Sequence, residues 1–504
     1  MGAIRRTALA STTVGLALIM SLGGWTAVRP AAQHHTPRIP KLTFKGTITT
    51  YAQAYTPALP GIKLLPGSPK LMAFENVAKQ FEKMYPGIHI KFVYPAAMNS
   101  NDVQAVEVDA AGGKLPDVVW GQYIDFNSVW PRGIVVNLKP YLNQPNPYVP
   151  GNKAWKDTMS ARVLGQISAP NGAIYEVDGD WVGTAFYYNK NLFAKAGITA
   201  PPKTWAALLA DCKKLQAHHI QPGADIPYYS WWSRLFLGNN LGAKTIHQLE
   251  VWSKSKYAVT ALGEVIGYEK GLLNPAKNPR LTAWWPLVKQ LYHYWDPNVT
   301  DIPVLNQPTG EQNGQKLFAA HKVAMVYQGS WLPNETSLAG AKFPIGSFAF
   351  PAGALPKSFR YGTKINSAAD VGGPSAAFQY AIATPRADRT MTPAKFKAVL
   401  AWVRFFTAPK NDQTIVNNLG EFVPTMQGTK PLPSERGSAL PKGAKYASVF
   451  GFSDVTAEAH TRIFNLFQEY VSGHISFAAA KQQYDSIVQQ AVHQYIVTNH
   501  PHIP

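Results

Sequence analysis

A change of hydrophobic period, repeated early in the chain, constrains the fold more than any other feature of this sequence. Leu71, Phe74, Val77, Phe81 and Met84 recur at spacings of three and four, the stripe that one face of an α-helix buries. Pro86–Gly87 ends that helix. Ile88, Ile90 and Phe92 then alternate, which is the period of a half-covered strand. A short helix over Val103 to Ala111 closes at Gly112–Gly113. The unbroken run Val118–Val119–Trp120 follows and reads as a buried parallel strand. With a first strand over Lys45 to Ala52, the order is strand, helix, strand, helix, strand, the pattern of an α/β sheet covered by helices.

Later segments carry the same helical signals. Thr204 caps a helix through Leu215. Thr392–Pro393 opens another with Phe396, Val399, Leu400, Val403 and Phe406 on its apolar face. Ser476 caps a last one that aligns Ala480, Tyr484, Ile487, Ala491 and Tyr495. The stretches 353–370 and 428–446 are rich in Gly, Pro, Ser and Lys and read as surface loops. No internal repeat is present.

With 504 residues the chain is long enough for two or more full cores, and 46% apolar against 15% charged residues describes an ordered protein. Arg5, Arg6, Arg29 and Arg38 stand in a first forty residues without an acid. Beyond them 44 Lys and Arg face 29 Asp and Glu. These cations are scattered, with no run and no basic helix, which argues against nucleic acid. The excess fits a protein held near an anionic envelope, and the scarcity of carboxylates leaves few groups to protonate in an acidic habitat. Cys212 is the only cysteine, so no intrachain disulfide exists. Its setting among Leu208, Leu209 and Leu215 predicts a buried structural thiol.

Several motifs occur in a telling order. Phe81–Glu82–Lys83–Met84–Tyr85–Pro86–Gly87–Ile88 comes first, then Gly113–Lys114–Leu115–Pro116–Asp117–Val118–Val119. Asn171–Gly172–Ala173–Ile174–Tyr175 precedes the run from Tyr187 to Ile198 and Pro201–Pro202–Lys203–Thr204–Trp205. Phe318 to Trp331 contains Val323–Ala324–Met325 and Gly329–Ser330–Trp331. Gly372–Gly373 and Ala381–Ile382–Ala383 follow. This order, from about residue 70 onward, resembles the family 1 extracellular solute-binding proteins of ABC importers, the maltose-binding-protein-like group. His321 stands where the block before Trp331 usually has Gly.

The resemblance implies an α/β, two-lobe periplasmic-binding-protein-like fold of type II with multiple hinge crossings. Carried over, the first lobe is 41–176 with 373–425 and the second is 177–372 with 426–504, after a 1–40 signal or anchor and spacer. It further implies capture of a sugar or oligosaccharide, delivery to membrane permease subunits, no catalysis, no cofactor or metal, no nucleic acid, and a monomer. The readings to weigh against it are a secreted carbohydrate-active enzyme and a binder of a polyamine, peptide or phosphate ester. Enzyme motifs are missing: the sequence has no nucleophile elbow, no phosphate-binding loop and no zinc-protease helix.

A sugar offers hydroxyls at its edge and apolar faces, so its site needs planar polar groups and aromatic rings, beyond the carboxyl ends of strands. That search yields Gln53 and Tyr55 after the first strand, and Trp120, Gln122, Tyr123 and Asp125 after Val118–Val119. It yields Asp178, Asp180 and Trp181 at the crossing, and Tyr228, Trp231 and Trp232 in the Pro227–Trp232 segment. Glu311, Trp331, Gly372, Gly373 and Glu421 complete the set, with Trp331 the foremost stacking platform. Core packing is the competing explanation for every aromatic among them.

At the N-terminus, Arg5–Arg6 precedes an apolar stretch from Ala8 to Trp25 and a Pro-rich spacer to Pro40, the pattern of an export signal. Leu22–Gly23–Gly24 is followed by Trp25 where a lipid-bearing Cys would stand, so an uncleaved anchor competes with cleavage near Ala27 to Ala32. Either outcome makes the protein extracytoplasmic, periplasmic or at the cell surface.

Overall fold

A computed structural model of the chain describes residues 39–62, 70–94, 103–127, 129–169, 171–255, 258–299, 310–338, 340–348, 373–374, 377–432 and 449–504. The export segment, the 353–370 loop, Gly372 and all of 428–446 beyond Leu432 lie outside these residues.

The strands are β1 (Gly46–Tyr51), β2 (Ile88–Val93), β3 (Val118–Trp120), β4 (Val177–Asp178), β5 (Asp180–Val182) and β6 (Thr184–Asn189). They continue with β7 (Gln221–Gly223), β8 (Val323–Gly329), β9 (Ile345–Phe348), β10 (Gly373–Pro374), β11 (Gln379–Ile382) and β12 (Val423–Pro424). They form three sheets, in the orders β2-β1-β3-β11-β4, β10-β5-β12 and β7-β8-β6-β9. In the first, β1 runs parallel to β2 and β3, as the helical crossovers require, while β11 enters antiparallel to β3. Gly179 alone separates β4 in the first sheet from β5 in the second.

Two large apolar cores result. The first draws on residues between Ile48 and Val177 and again between Ala377 and Met426. An aromatic knot holds it. Phe74 from helix Ala73–Met84 stacks on Trp402 at 5.7 Å and meets Phe406 edge-on at 5.2 Å. The second core draws on residues between Phe186 and Phe348 and again between Val449 and Val492. There Trp284 lies 5.4 Å from Phe236 and 5.1 Å from Phe467. Each such side chain, taken out of water, contributes about 1.5–3 kcal/mol.

The predicted caps form. Thr204 accepts from the Ala207 amide at 3.1 Å, Thr392 from Lys395 at 3.2 Å and Ser476 from Ala479 at 3.2 Å, about 1 kcal/mol each. His321 takes up the left-handed backbone that a glycine would adopt, at φ 59°, with its ring 4.4 Å from Phe343. Asp117 has a structural task. Fully buried, it accepts from the Thr49 amide at 2.8 Å and pairs with Lys395 at 2.7 Å. It thereby pins β1 to the helix Pro393–Phe406. Cys212 is buried in the second core, and burial pushes its thiol well up.

Candidate functional site

A cavity of about 960 Å³ opens between the two cores. From the first-core side come Gln122, Tyr123, Asn127, Gln166, Ile167, Gln379 and Phe422. From the second come Ser230, Trp231, Arg234, Phe450, Asp454 and Tyr495, while Trp331, packed against the first core, meets Trp231 at the cavity.

Local structure explains how these groups reach it. β3 ends at Trp120, and Gly121 lets the chain turn closely over the ring of Trp130, whose Cζ2 would lie 2.5 Å from any added Cβ. That turn delivers Gln122 and Tyr123 to the cavity. Gln379 on β11 is nearly buried and ties the wall to the crossing: its side-chain oxygen accepts from the Tyr123 amide at 2.6 Å, and its nitrogen donates to Asp178 at 2.9 Å. On the far side, helix Tyr229–Asn240 presents Trp231 and, one turn later, Arg234. Trp331 follows β8, and its ring folds back over Gly329, where an added Cβ would fall 2.0 Å from Cζ3. That close approach is the physical reason for glycine in the Gly-Ser-Trp block. The Trp231 and Trp331 ring centroids lie 6.0 Å apart, inclined by 63°.

The polar edge of the cavity holds atoms with nothing to bond. Gln166 Oε1, Thr260 Oγ1, Asp454 Oδ1 and Arg234 Nε are buried and lack hydrogen-bond partners. Burial pushes the Asp454 carboxyl up to about 6, against the pull of a hydrogen bond with Glu264 and the charge of Arg234. Among the described residues no group of three or more His, Cys, Asp or Glu side chains is arranged to hold a metal ion, and no helix is long and apolar enough to cross a membrane.

Residues 68–413 match the family model described as bacterial extracellular solute-binding protein. The chain belongs to this family. A putative binding protein of Brucella abortus (strain 2308) is 26% identical over 296 residues, 57% of this chain. The chain spans 62% of the length of that curated relative. The multiple sugar-binding protein of Streptococcus mutans is 24% identical over 298 residues, 55% of this chain and 58% of its own. The fold superposes on the maltose-maltodextrin binding protein of Alicyclobacillus acidocaldarius with a TM-score of 0.56 at 18% identity, over 88% of this chain and 100% of that one. The solute-binding protein therefore has the two-lobe α/β fold of that structure.

Of the residues predicted from sequence, Gln122, Tyr123, Trp231 and Trp331 line the cavity. Others are packed away from it. Trp120 belongs to the first core, edge-on to Tyr51 at 6.0 Å. Trp232, fully buried, stacks on Tyr327 at 4.7 Å inside the second core. Tyr228 backs Trp231 from behind at 4.5 Å. Trp181 is fully buried with Val163 and Val423. Asp178 and Asp180 are buried in the crossing, where Asp180 accepts the Tyr55 hydroxyl at 2.6 Å. Gln53, with φ 48°, turns its side-chain oxygen onto the Ala54 amide.

Glu421 accepts from Asn334 at 2.9 Å, and its carbonyl accepts from Ser330 at 2.6 Å, so it bridges the segment after β8 to the first core. Gly373 pairs across β10 with Val182. The backbones of Asp125 and Glu311 fall in helices Tyr123–Phe126 and Gly310–Ala319, and their side chains lie outside the described residues, as does Gly372.

The sequence reading missed Gln166, Arg234, Thr260, Gln379, Phe450 and Asp454. Arg234 stands three residues after Trp231 on one helix face, a signal that was available. Phe450 and Asp454 come from a segment of irregular chain, where no periodicity points anywhere.

Proposed function

We propose that this protein is the extracytoplasmic binding component of an ABC importer. It takes a sugar or oligosaccharide into the cleft between lobes 41–176 with 373–425 and 177–372 with 426–504, and delivers it to membrane permease subunits without catalysis. The observation that carries the reading is the pairing of two indole walls, Trp231 and Trp331, with orphaned polar atoms on Gln166, Thr260, Arg234 and Asp454 around one cavity. Saccharides have that double character, apolar faces and a hydroxyl edge. A volume of about 960 Å³ stands at the upper end of small-molecule sites and leaves room for more than one sugar ring. The separation of the two cores along the chain supports the lobe limits, and Gly179, where a Cβ would lie 2.0 Å from Asp412 Oδ1, supports a tight crossing at 177–182. The sugar-binding names of the Streptococcus and Alicyclobacillus proteins point the same way. The basic and apolar start from Arg5 to Trp25 supports export.

Thermal unfolding and calorimetry over mono- and oligosaccharides test this. A matched saccharide raises Tm with its concentration and is recovered intact. Shifts only with polyamines or peptides, or recovery of cleaved sugar, would overturn the assignment. Small-angle scattering at saturation checks closure of the lobes, expected as a smaller radius of gyration.

A further inference from the structure

We propose that the Arg234 end of the cavity is the subsite for an anionic group, so that the solute is an acidic saccharide bearing a carboxylate or phosphate. This rests on the saccharide reading above. Arg234 lies one turn beyond Trp231 and lines the same cavity. Its guanidinium carbon sits 3.9 Å from the centroid of the Phe450 ring, which covers one face of the fork. Nε is buried without a hydrogen-bond partner. Among the described residues Arg234 makes no ion pair.

Arg234 is half-buried, and a guanidinium partly withdrawn from water without a carboxylate against it is uncommon, because its charge has lost hydration and received no ion pair in return. Asp454 acts on Arg234 only through space. That carboxylate shares a hydrogen bond with Glu264, whose own oxygens accept the Phe450, Gly451 and Phe452 amides at 3.1, 3.0 and 2.6 Å. The acidic pair is thus held by the loop backbone and does not close on the guanidinium. The other cation among the described lining residues, Arg132, is already paired with Glu107 at 2.6 Å. Burial lowers Arg234 to about 10, which leaves it charged at neutral pH. A planar fork of donors, fixed from behind by an aromatic ring, matches the two oxygens of a carboxylate or phosphate. No other carboxylate among the described lining residues competes for it.

The test is calorimetry on the exported chain at neutral pH with pairs that differ at the acidic group. The pairs are trigalacturonate and its methyl ester, glucuronate and glucose, and glucose 6-phosphate and glucose. The expected result is tenfold or tighter binding of the acidic member of at least one pair, weakened by added salt. The uronate and phosphate pairs separate the two sources of the anion. Arg234→Gln should erase the preference, while Arg234→Lys, which keeps the charge without the fork, should keep part of it. Salt dependence in the unaltered protein serves if Arg234→Gln does not fold. Neutral members bound as tightly as acidic ones would overturn the anionic subsite and leave the saccharide reading standing. No binding across the panel would sink both. A preference that survives Arg234→Gln but vanishes in Arg132→Gln would overturn the assignment to Arg234.

Discussion

The crossing at 177–182 and the segment 227–234 both attract attention in the sequence for the same reason: each sets polar and aromatic residues side by side. In the structure they do opposite things. The crossing turns inward. Asp178, Asp180 and Trp181 are all 0–1% exposed, and their partners are Gln379, Tyr55 and the Val163–Val423 cluster. The 227–234 segment is amphipathic instead: helical from Tyr229, it sends Trp232 into the core and Trp231 with Arg234 toward the cavity. Polarity on a short strand between two sheets marks a buried network that holds the connection. On a helix the same composition divides by angle into a packed face and an exposed one.

The sharpest break of that comparison sets neighbouring tryptophans against each other. Trp232→Ala should cost about 3–5 kcal/mol of stability, the range for emptying a core of a buried aromatic. Trp231→Ala should cost far less and act on ligand affinity. Equal losses of stability in urea unfolding would erase the distinction between the two faces.

The crossing and its surroundings make the second prediction. Burial raises Asp178 and Asp412 well above the ordinary carboxylate range, with the Asp180 charge adding to it, and burial takes Glu421 from 4.5 to about 7 against its bond from Asn334. A folded state that binds these protons more tightly than the unfolded chain is fully favoured below about pH 4. It loses that advantage as pH rises through about 7. Glu421→Gln keeps an acceptor for Asn334 and removes the titration. It should therefore recover up to about 3 kcal/mol at pH 8 and leave acid stability unchanged. Denaturant midpoints between pH 4 and pH 8 measure this, and parallel curves for the two proteins would refute it.

The smallest effect concerns the cavity itself. Trp331→Ala should weaken saccharide binding by about 1–3 kcal/mol, the contribution of a stacking ring and its buried area. Calorimetry on the folded variant decides this, and unchanged affinity would remove Trp331 as a platform and leave Trp231 as the indole wall.

Much of the architecture was legible because it is local. A period of 3.6 placed the helix ending at Met84, a period of 2 placed β2 and an unbroken apolar run placed β3, and hydroxyl caps at Thr204, Thr392 and Ser476 marked helix starts within a residue. The motif order conveyed the family, and two of its residues have a structural reason here: Gly329 for the folded-back Trp331 and Asp117 for the ion pair with Lys395. The candidate site was legible only in part. Gln122, Tyr123, Trp231 and Trp331 stand directly after strands or on an aromatic run, and they do line the cavity.

What the sequence determined by itself, then, is the set of elements, their order and the stripes that each must bury, because these depend on residues a few positions apart. Which polar groups end in the cavity was decided by tertiary structure. Arg234 and Phe450 are more than two hundred positions apart and meet at 3.9 Å, and Glu264 meets the loop at Phe450 to Phe452 from a helix 186 positions away. No local pattern records such meetings. They follow from how two cores, each closed on its own apolar faces, leave a gap between them, and a side chain is placed in that gap or away from it by the angle of its helix.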